Sequence, residues 1–368
     1  MSMILDGSNG VTFNDSSLQG AAASPYGLKN RIINGDMRIA QRGTSFSNPT
    51  AGFYTLDRWY IRTQNASIVS TITQSTTAPT GFVNSFYLSI GTGASSGSTD
   101  RAQLYQGIEG FNVADFGWGT ANAQTVTLSF WARSSKTGQF GGSLQNNAGN
   151  RSYPFIYTIS SANTWEQKSV TIAGDTSGTW TTDNTAGIQL NFDLGAGSSF
   201  LTTASSWASG DYRGATGDTS IVATTGATFY ITGVQLEVGS TATPFERRMY
   251  GQELALCQRY FYKNKGDGAG SGPYGIGHCR SNYLRGLIHL PVVMRTTPTM
   301  TNTGTDADYI VTSGTSDFTS FVTRPSLDNG GNQILAFRVQ VSTGMTNGYA
   351  ALLSLNSSSS YLDFSAEL

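Results

Sequence analysis

Residues 233–263 read GVQLEVGSTATPFERRMYGQELALCQRYFYK: a closing strand, a turn, and the one convincing helix of the chain. In Thr243-Pro244-Phe245-Glu246, Thr stands at an N-cap, Pro at the first helical position, and Glu three residues after the cap. That is a capping box, whose hydroxyl and carboxylate satisfy backbone N–H groups otherwise unpartnered at a helix start. Tyr250, Leu254, Cys257 and Phe261 then recur at i, i+4, i+7 and i+11, one apolar stripe along one face. The pattern predicts a helix over 244–263. Its stripe either seats on the chain's own sheet or also meets copies of itself as an oligomer interface.

Upstream, residues 30–243 repeat a single theme. Short runs such as YTLDRWYIRT, SFYLSIGT, TVTLSFWARSS, YPFIYTIS, GIQLNFDL and TFYITGVQLEV alternate apolar and polar residues between Gly, Asn, Ser and Asp. This predicts an all-β antiparallel jelly-roll sandwich. Val126, Leu128, Phe130 and Ala132 form one aliphatic face, and Gly233 breaks the alternation of the last strand with a bulge. NRIINGDMRIAQ reads as a strand at Ile32-Ile33, a turn at Asn34-Gly35-Asp36 and a second strand. Residues 264–368 open on the glycine-rich loop KGDGAGSG and then carry strands such as CRSNYLRGLIHLPVVM and ILAFRVQVS, a second and smaller β domain. Residues 1–29 are too short for a core. Gly10 to Phe13 is a strand candidate, Asn14-Asp15 a turn and Gly20 to Ser24 a linker, in a segment that is either a tail or an attachment element.

Composition limits the function. Charged residues are 12% of the 368, against roughly 25% in an ordinary domain, and the net charge is −1. With 22 Lys+Arg against 23 Asp+Glu, no basic face is expected, and so no nucleic-acid partner. The 17 Tyr, 19 Phe and 6 Trp supply too much buriable surface for a disordered chain. No apolar run reaches the length of a membrane span, and MSMILDGSNG lacks the features of a signal peptide. Synthesis in a host cytoplasm and release by lysis fit that N-terminus better than secretion. Cys257 and Cys279 are expected as free buried thiols, with a single bridge the alternative.

Catalytic motifs do not emerge. His278 and His289 stand beside no nucleophile motif, and His278 and Cys279 point to opposite faces of a strand. Asp183, Asp193, Asp211, Asp218 and Glu237 could pair for glycoside hydrolysis only if the fold brought two together; separately they are solvated turn carboxylates. No cofactor is called for; zinc at His278 and Cys279 is disfavoured by their opposite faces, and calcium through carboxylates such as Asp36 and loop carbonyls is the metal left open. Binding is better supported. Trp180, Trp207 and Tyr212 lie in loop-like stretches beside Asp211 and Arg213, residue types that stack on a sugar ring and bind its hydroxyls. The alternative is that they close an open end of the sandwich as satellite core. Trp59, Trp131 and Trp165 fall inside strand patterns and are expected in the core.

Five motifs occur in order: NRIINGDMRIAQRGTSF (Asn30 to Phe46), YTLDRW (Tyr54 to Trp59), SFWARSS (Ser129 to Ser135), NTWEQKSVTIAGDTSGTW (Asn163 to Trp180) and the stretch from Gly233 to Tyr262. Together they resemble phage tail-fibre and virion appendage proteins with a jelly roll similar to carbohydrate-binding modules. GVTFNDSSLQ near the start resembles a fibre motif in part, with Asn14 where Pro is usual and no Gly after Asp15. The resemblance implies a homotrimer on a virion, joined to another virion protein through residues 1–29 and binding host-surface glycan. It transfers no catalytic residue. A capsid decoration or tail connector, and a polysaccharide-degrading tailspike, are the alternatives.

Overall fold

The computed structural model describes residues 29–47, 52–266, 273–302 and 304–368, and the backbone of three short strands before them. Those three, Ile4–Asp6, Gly10–Thr12 and Leu18–Gln19, form a small antiparallel sheet. The Asn14-Asp15 turn, the Gly20 to Ser24 linker and most of the 266–272 loop lie outside the described residues.

Strand Thr228–Val238 sits in the middle of a six-stranded sheet, between Val126–Ser134 and Ser85–Thr92. Glu166–Ile172 flanks it on one side, and Val69–Ser75 and Ser45–Ser47 on the other. The second six-stranded sheet runs in the order Ser152–Ile159, Gly138–Asn146, Ala186–Asp193, Ala102–Glu109, Tyr60–Thr63, Phe53–Tyr54. Every pairing in both sheets is antiparallel. Because successive strand residues point to opposite faces, Leu128, Phe130, Phe229 and Leu88 of the first sheet meet Leu104, Leu144, Phe155 and Phe192 of the second in one core. Each such side chain contributes roughly 1.5–3 kcal/mol of burial. The expected jelly-roll sandwich is what forms. The bulge is present too: the register shifts between Ser129 and Trp131, opposite Gly233 with φ 63°. Trp59 is fully buried, whereas Trp131 and Trp165 are half-buried on an outer face.

Four further expectations are corrected. The segment from Asn30 to Gln41 forms no strands, because its asparagines capture the backbone first. Asn34 Nδ2 donates to the carbonyls of Ile39 (2.9 Å) and Asp57 (3.0 Å), and Asn30 Oδ1 accepts from Ile32 N and Leu236 N. This irregular segment still buries Ile32 and Met37 in the sandwich core. The helix, α1, spans Tyr250–Gln258 rather than 244–263. No capping box forms: Thr243 donates from its amide and hydroxyl to Glu237 (2.9 and 2.6 Å), and Glu246 accepts from Asn30 N at 2.7 Å. Partners on the preceding strand and on the segment from Asn30 hold this stretch open. The proposed interface stripe also breaks up. Cys257 is fully buried against Ile33, Ile39 and Tyr260 with Leu254 beside it, and Phe261 lies in the next strand under the Arg42 guanidinium at 3.5 Å. Only Tyr250 is exposed.

The C-terminal residues build a seven-stranded antiparallel sheet: Ser316–Phe318, Tyr309–Ser313, Ala350–Leu355, Pro273–Arg280, Tyr283–His289, Ile334–Val341, Phe321–Gly330. A three-stranded sheet of Phe261–Lys265, Tyr361–Ser365 and Thr299–Asn302 accompanies it. Leu284, Phe337, Val339, Leu353 and Phe364 share their core. Cys257 and Cys279 are free and lie in different cores. The two bodies are fastened at several points. Arg259 makes a bidentate pair with Glu109 (2.5 and 2.9 Å), and Tyr260 Oη donates to the same carboxylate at 2.6 Å. Glu367 pairs with the buried Arg58 and with Arg42, and Arg295 donates to the carbonyls of Asn184, Ala366 and Glu367 at 2.8 Å each. No helix among the described residues is long and apolar enough to cross a membrane.

Candidate functional site

One end of the sandwich is closed by three loops, each bringing a tryptophan. Trp118 follows two single-turn 3₁₀ helices, Gly110–Asn112 and Ala114–Phe116; Trp180 and Trp207 come from the loops after Glu166–Ile172 and Ala186–Asp193. The three indoles meet nearly at right angles: Trp118–Trp180 at 4.8 Å, Trp118–Trp207 at 5.2 Å and Trp180–Trp207 at 5.4 Å, with interplanar angles of 78–79°. Edge-to-face contact sets the positive rim of one ring on the negative face of the next. Each indole N–H donates to a loop carbonyl, of Gln124, Ser177 and Ala173 respectively. Close approach depends on Gly119, with φ 84°. A Cβ there would lie 2.8 Å from the Gly178 carbonyl oxygen and 3.2 Å from Trp180 Cδ1.

The consequences differ for the three rings. Trp118 is 7% exposed and belongs to the core. Trp207 is hemmed in by the other two, by Tyr153 at 5.3 Å and by the Arg151 guanidinium at 6.0 Å, which Asp175 holds with two 2.7 Å bonds. Trp180 is half-buried and keeps part of its surface on a pocket of about 240 Å³. Phe116 and Ile188 line the apolar side of that pocket and Thr120, Thr181 and Thr182 its polar side; no charged side chain lines it. An indole wall with nearby hydroxyls and no charge can take the C–H face of a neutral ring and hydrogen-bond its rim. Trp118 and Phe116 were not among the residues singled out in the sequence. The signal was there in Phe116-Gly117-Trp118-Gly119, an aromatic between two glycines of positive φ.

Asp211, Tyr212 and Arg213 follow Trp207 on the same segment but do not line the tryptophan pocket. They belong to a strap, residues 195–221, that crosses the outer face of the second sheet. Asp211 accepts from Arg101 (2.8 Å), Arg213 (2.6 Å) and Gln145 (2.7 Å), while Arg213 reaches Asn191 at 3.2 Å and Gln189 at 3.3 Å. Burial alone would raise the Asp211 pKa, but Arg213, Gln145 and Arg101 hold it below the usual carboxylate value. Tyr212 N donates to Ser152 Oγ at 3.1 Å. All three therefore fasten the strap to the sheet, and the expected grouping with Trp180 and Trp207 does not form.

Under the same strap the fold brings Asp193 and Asp218 together. A Cβ on Gly214 would lie 2.4 Å from one carboxyl and 2.7 Å from the other. Asp193 Oδ1 accepts from the amides of Gly195 (2.8 Å) and Ala196 (2.7 Å), and Asp218 Oδ2 from Ala215 N at 3.1 Å. Burial and then the Asp193 charge push the Asp218 carboxyl up to about 8, so the pair retains a proton at neutral pH. Of the other carboxylates, Asp183 is exposed and bonded to Thr185, and Glu237 is buried against Thr243 and Gln235. Asp36 pairs with Arg38. Among the described residues no three His, Cys, Asp or Glu side chains gather as a metal site.

No protein-family model matches the chain, and no curated protein matches it. Solved structures do. The enzymatically active domain of tailspike protein 4 of bacteriophage CBA120 is 15% identical, over 54% of this chain and 22% of that one, with a TM-score of 0.29. A putative sugar-binding protein from Bacteroides thetaiotaomicron is also 15% identical, over 57% and 100%, with a TM-score of 0.34. A family 11 carbohydrate-binding module from Clostridium thermocellum, solved with a mixed-linked tetrasaccharide, is 10% identical over 54% and 98%, with a TM-score of 0.27.

Proposed function

We infer that this chain is a bacteriophage virion appendage protein that binds host-surface saccharide without turning it over, the sugar seating against Trp180. The observation that carries the reading is the uncharged pocket of about 240 Å³, with an indole wall and threonine hydroxyls. Its size suits one or two sugar rings rather than a long chain. The five ordered motifs and the low charge support a place on a fibre or other appendage. The small sheet built from Ile4–Asp6, Gly10–Thr12 and Leu18–Gln19 is the natural point of attachment to another virion protein. A homotrimer would let weak sites act together, since tethered sites gain effective concentration without new contacts. Binding without hydrolysis is favoured because the two carboxyls that meet, Asp193 and Asp218, lie under the strap and not in the tryptophan pocket.

Calorimetric titration of the full chain against a panel of neutral oligosaccharides tests the site. At least one sugar should bind, and Trp180→Ala should weaken it by about tenfold or more without moving the melting transition far. Unchanged binding by Trp180→Ala, or no binding of any neutral sugar, overturns the assignment. Sedimentation showing a monomer at micromolar concentration removes the trimer. Shortening of a host polysaccharide on incubation would return the tailspike reading.

A further inference from the structure

The seven-stranded C-terminal sheet buries one face and leaves the other uncovered by the described residues, and that open face is ordered in rows. Leu352, Ile276, Leu287 and Ala336 are direct cross-strand neighbours on four adjacent strands. The next row is Ala350, His278, Arg285 and Arg338, and beyond it Arg280, Tyr283 and Gln340 face one another. Strands about 4.8 Å apart, with rows roughly 7 Å apart, set an apolar stripe beside a basic one. Ile276 is 63% exposed and Leu287 49%. Against Arg285 and Arg338 stands one acid, Asp328, at 4.0 and 3.6 Å. The Arg280 side chain has no ion-pair or hydrogen-bond partner among the described residues. The whole-chain balance thus hides a local excess of cations, and the expectation of no basic face is corrected here: net charge counts residues, whereas strand alternation sorts them by face.

Within the basic rows lies a cleft of about 200 Å³ lined by Arg280, Ser281, Tyr283 and Arg285. It sits at a two-residue hairpin turn held in shape by Ser281, with φ 55°, whose amide donates to Asn347 Oδ1. Two guanidinium forks beside a tyrosine ring at a hairpin turn form an anion-recognition arrangement. We propose that this face binds an anionic saccharide chain, its carboxylate or phosphate group held between Arg280 and Arg285 and its C–H faces on the Ile276–Leu287 row. A second copy of the same face would set arginine against arginine. A neutral glycan would leave the forks unpaired. Nucleic acid would call for aromatic platforms for its bases, and the row alongside is aliphatic.

The site is separate from the tryptophan pocket and is tested with different probes, so either assignment can fail alone. The full chain is titrated with polygalacturonate for the carboxylate source, phosphomannan for the phosphate source, dextran as the neutral polymer and a single-stranded oligonucleotide. One or both anionic polysaccharides should bind, more weakly as salt rises, with dextran silent. Arg280→Ala with Arg285→Ala should lower that affinity about tenfold or more, and the Lys pair should recover only part of it, because Lys keeps the charge and loses the fork. The melting temperature of each variant identifies any loss of fold. The proposal is overturned if neither anionic polysaccharide binds, if the folded double variant binds them unchanged, or if the oligonucleotide binds more tightly than both.

Discussion

Two outer sheet faces in this molecule both carry polar side chains and put them to opposite uses. The outer face of the sandwich's second sheet carries Gln103, Ser143, Gln145, Asn191 and Asp193, all buried. The strap 195–221 covers one end of it, and the residues around Glu367 and Leu368 cover the other, where Tyr54 Oη donates to the Leu368 carbonyl at 2.5 Å. The outer face of the C-terminal sheet carries His278, Arg280, Arg285 and Arg338, all exposed, with none of the described residues laid over them. Most polar groups on the first face bond to partners inside the chain and so hold the fold together. On the second they are free to meet something else. The contrast is one of burial, since an unpaired charge in water costs almost nothing and one in the interior costs several kcal/mol.

Breaking the covered face should therefore hurt most where a charge is left alone. Arg58 is 1% exposed, lies 3.6 Å from the Tyr260 ring and pairs with Glu367. Glu367→Ala strips that guanidinium of its carboxylate and should destabilise by about 3–5 kcal/mol, the range for removing one partner of a buried pair. Denaturant titration should show it, with the single transition separating into two as the sandwich and the C-terminal body come uncoupled. A loss below about 1 kcal/mol would mean that this end of the face is not sealed by the pair. Next comes Arg213→Ala, which removes the cation holding Asp211 to Asn191 and Gln189 while Arg101 still neutralises Asp211. The expected loss is about 2–3 kcal/mol, and hydrogen exchange should quicken across 195–221.

The carboxyl pair beneath the strap sharpens the contrast through pH. An acid whose folded pKa lies above its unfolded one contributes fully while both states are protonated, below about 4, and loses that contribution as pH rises. For Asp218 the loss runs up to about 8, as the second negative charge is forced in beside Asp193. Stability measured by denaturation should then fall between pH 4 and pH 8 by more than about 1 kcal/mol from this group. Asp218→Asn, which cannot acquire that charge, should flatten the slope. A slope unchanged in the variant would assign it to other groups.

How much of this was legible in the sequence follows the same division between local and long-range causes. Alternation depends on neighbours, so Val126–Ser134 and Thr228–Val238 were readable, with the bulge at Gly233. Gly138–Asn146 was not, although it lies inside the second sheet, because Gly142 replaces an inward side chain to admit Phe155; a Cβ there would sit 2.4 Å from the ring. The capping box failed because Glu237, on the preceding strand, and Asn30, far away in sequence, claimed Thr243 and Glu246 first. Trp180 and Trp207 were visible as loop aromatics, but their meeting with Trp118 depends on three loops converging. Asp211 and Arg213 have the residue types of a sugar site, and only the strap's path over the sheet shows that they hold it down. The basic rows were hidden by the opposite error, a balanced total taken as a balanced surface.

The smallest expected effect is the most discriminating. Arg285 is a cation on a strand, like Arg213 in chemistry, yet its side chain is 44% exposed and its nearest acid, Asp328, lies at 4.0 Å. A loose, solvated pair of that kind contributes little, because screening weakens the attraction and two long side chains give up entropy to form it. Arg285→Ala should therefore change unfolding free energy by no more than about 0.5 kcal/mol, measured in the same denaturant titration as Arg213→Ala. If the two substitutions cost alike, then the open face is as tightly built into the fold as the covered one. In that case its arginines serve the chain itself, and the anionic partner loses its footing.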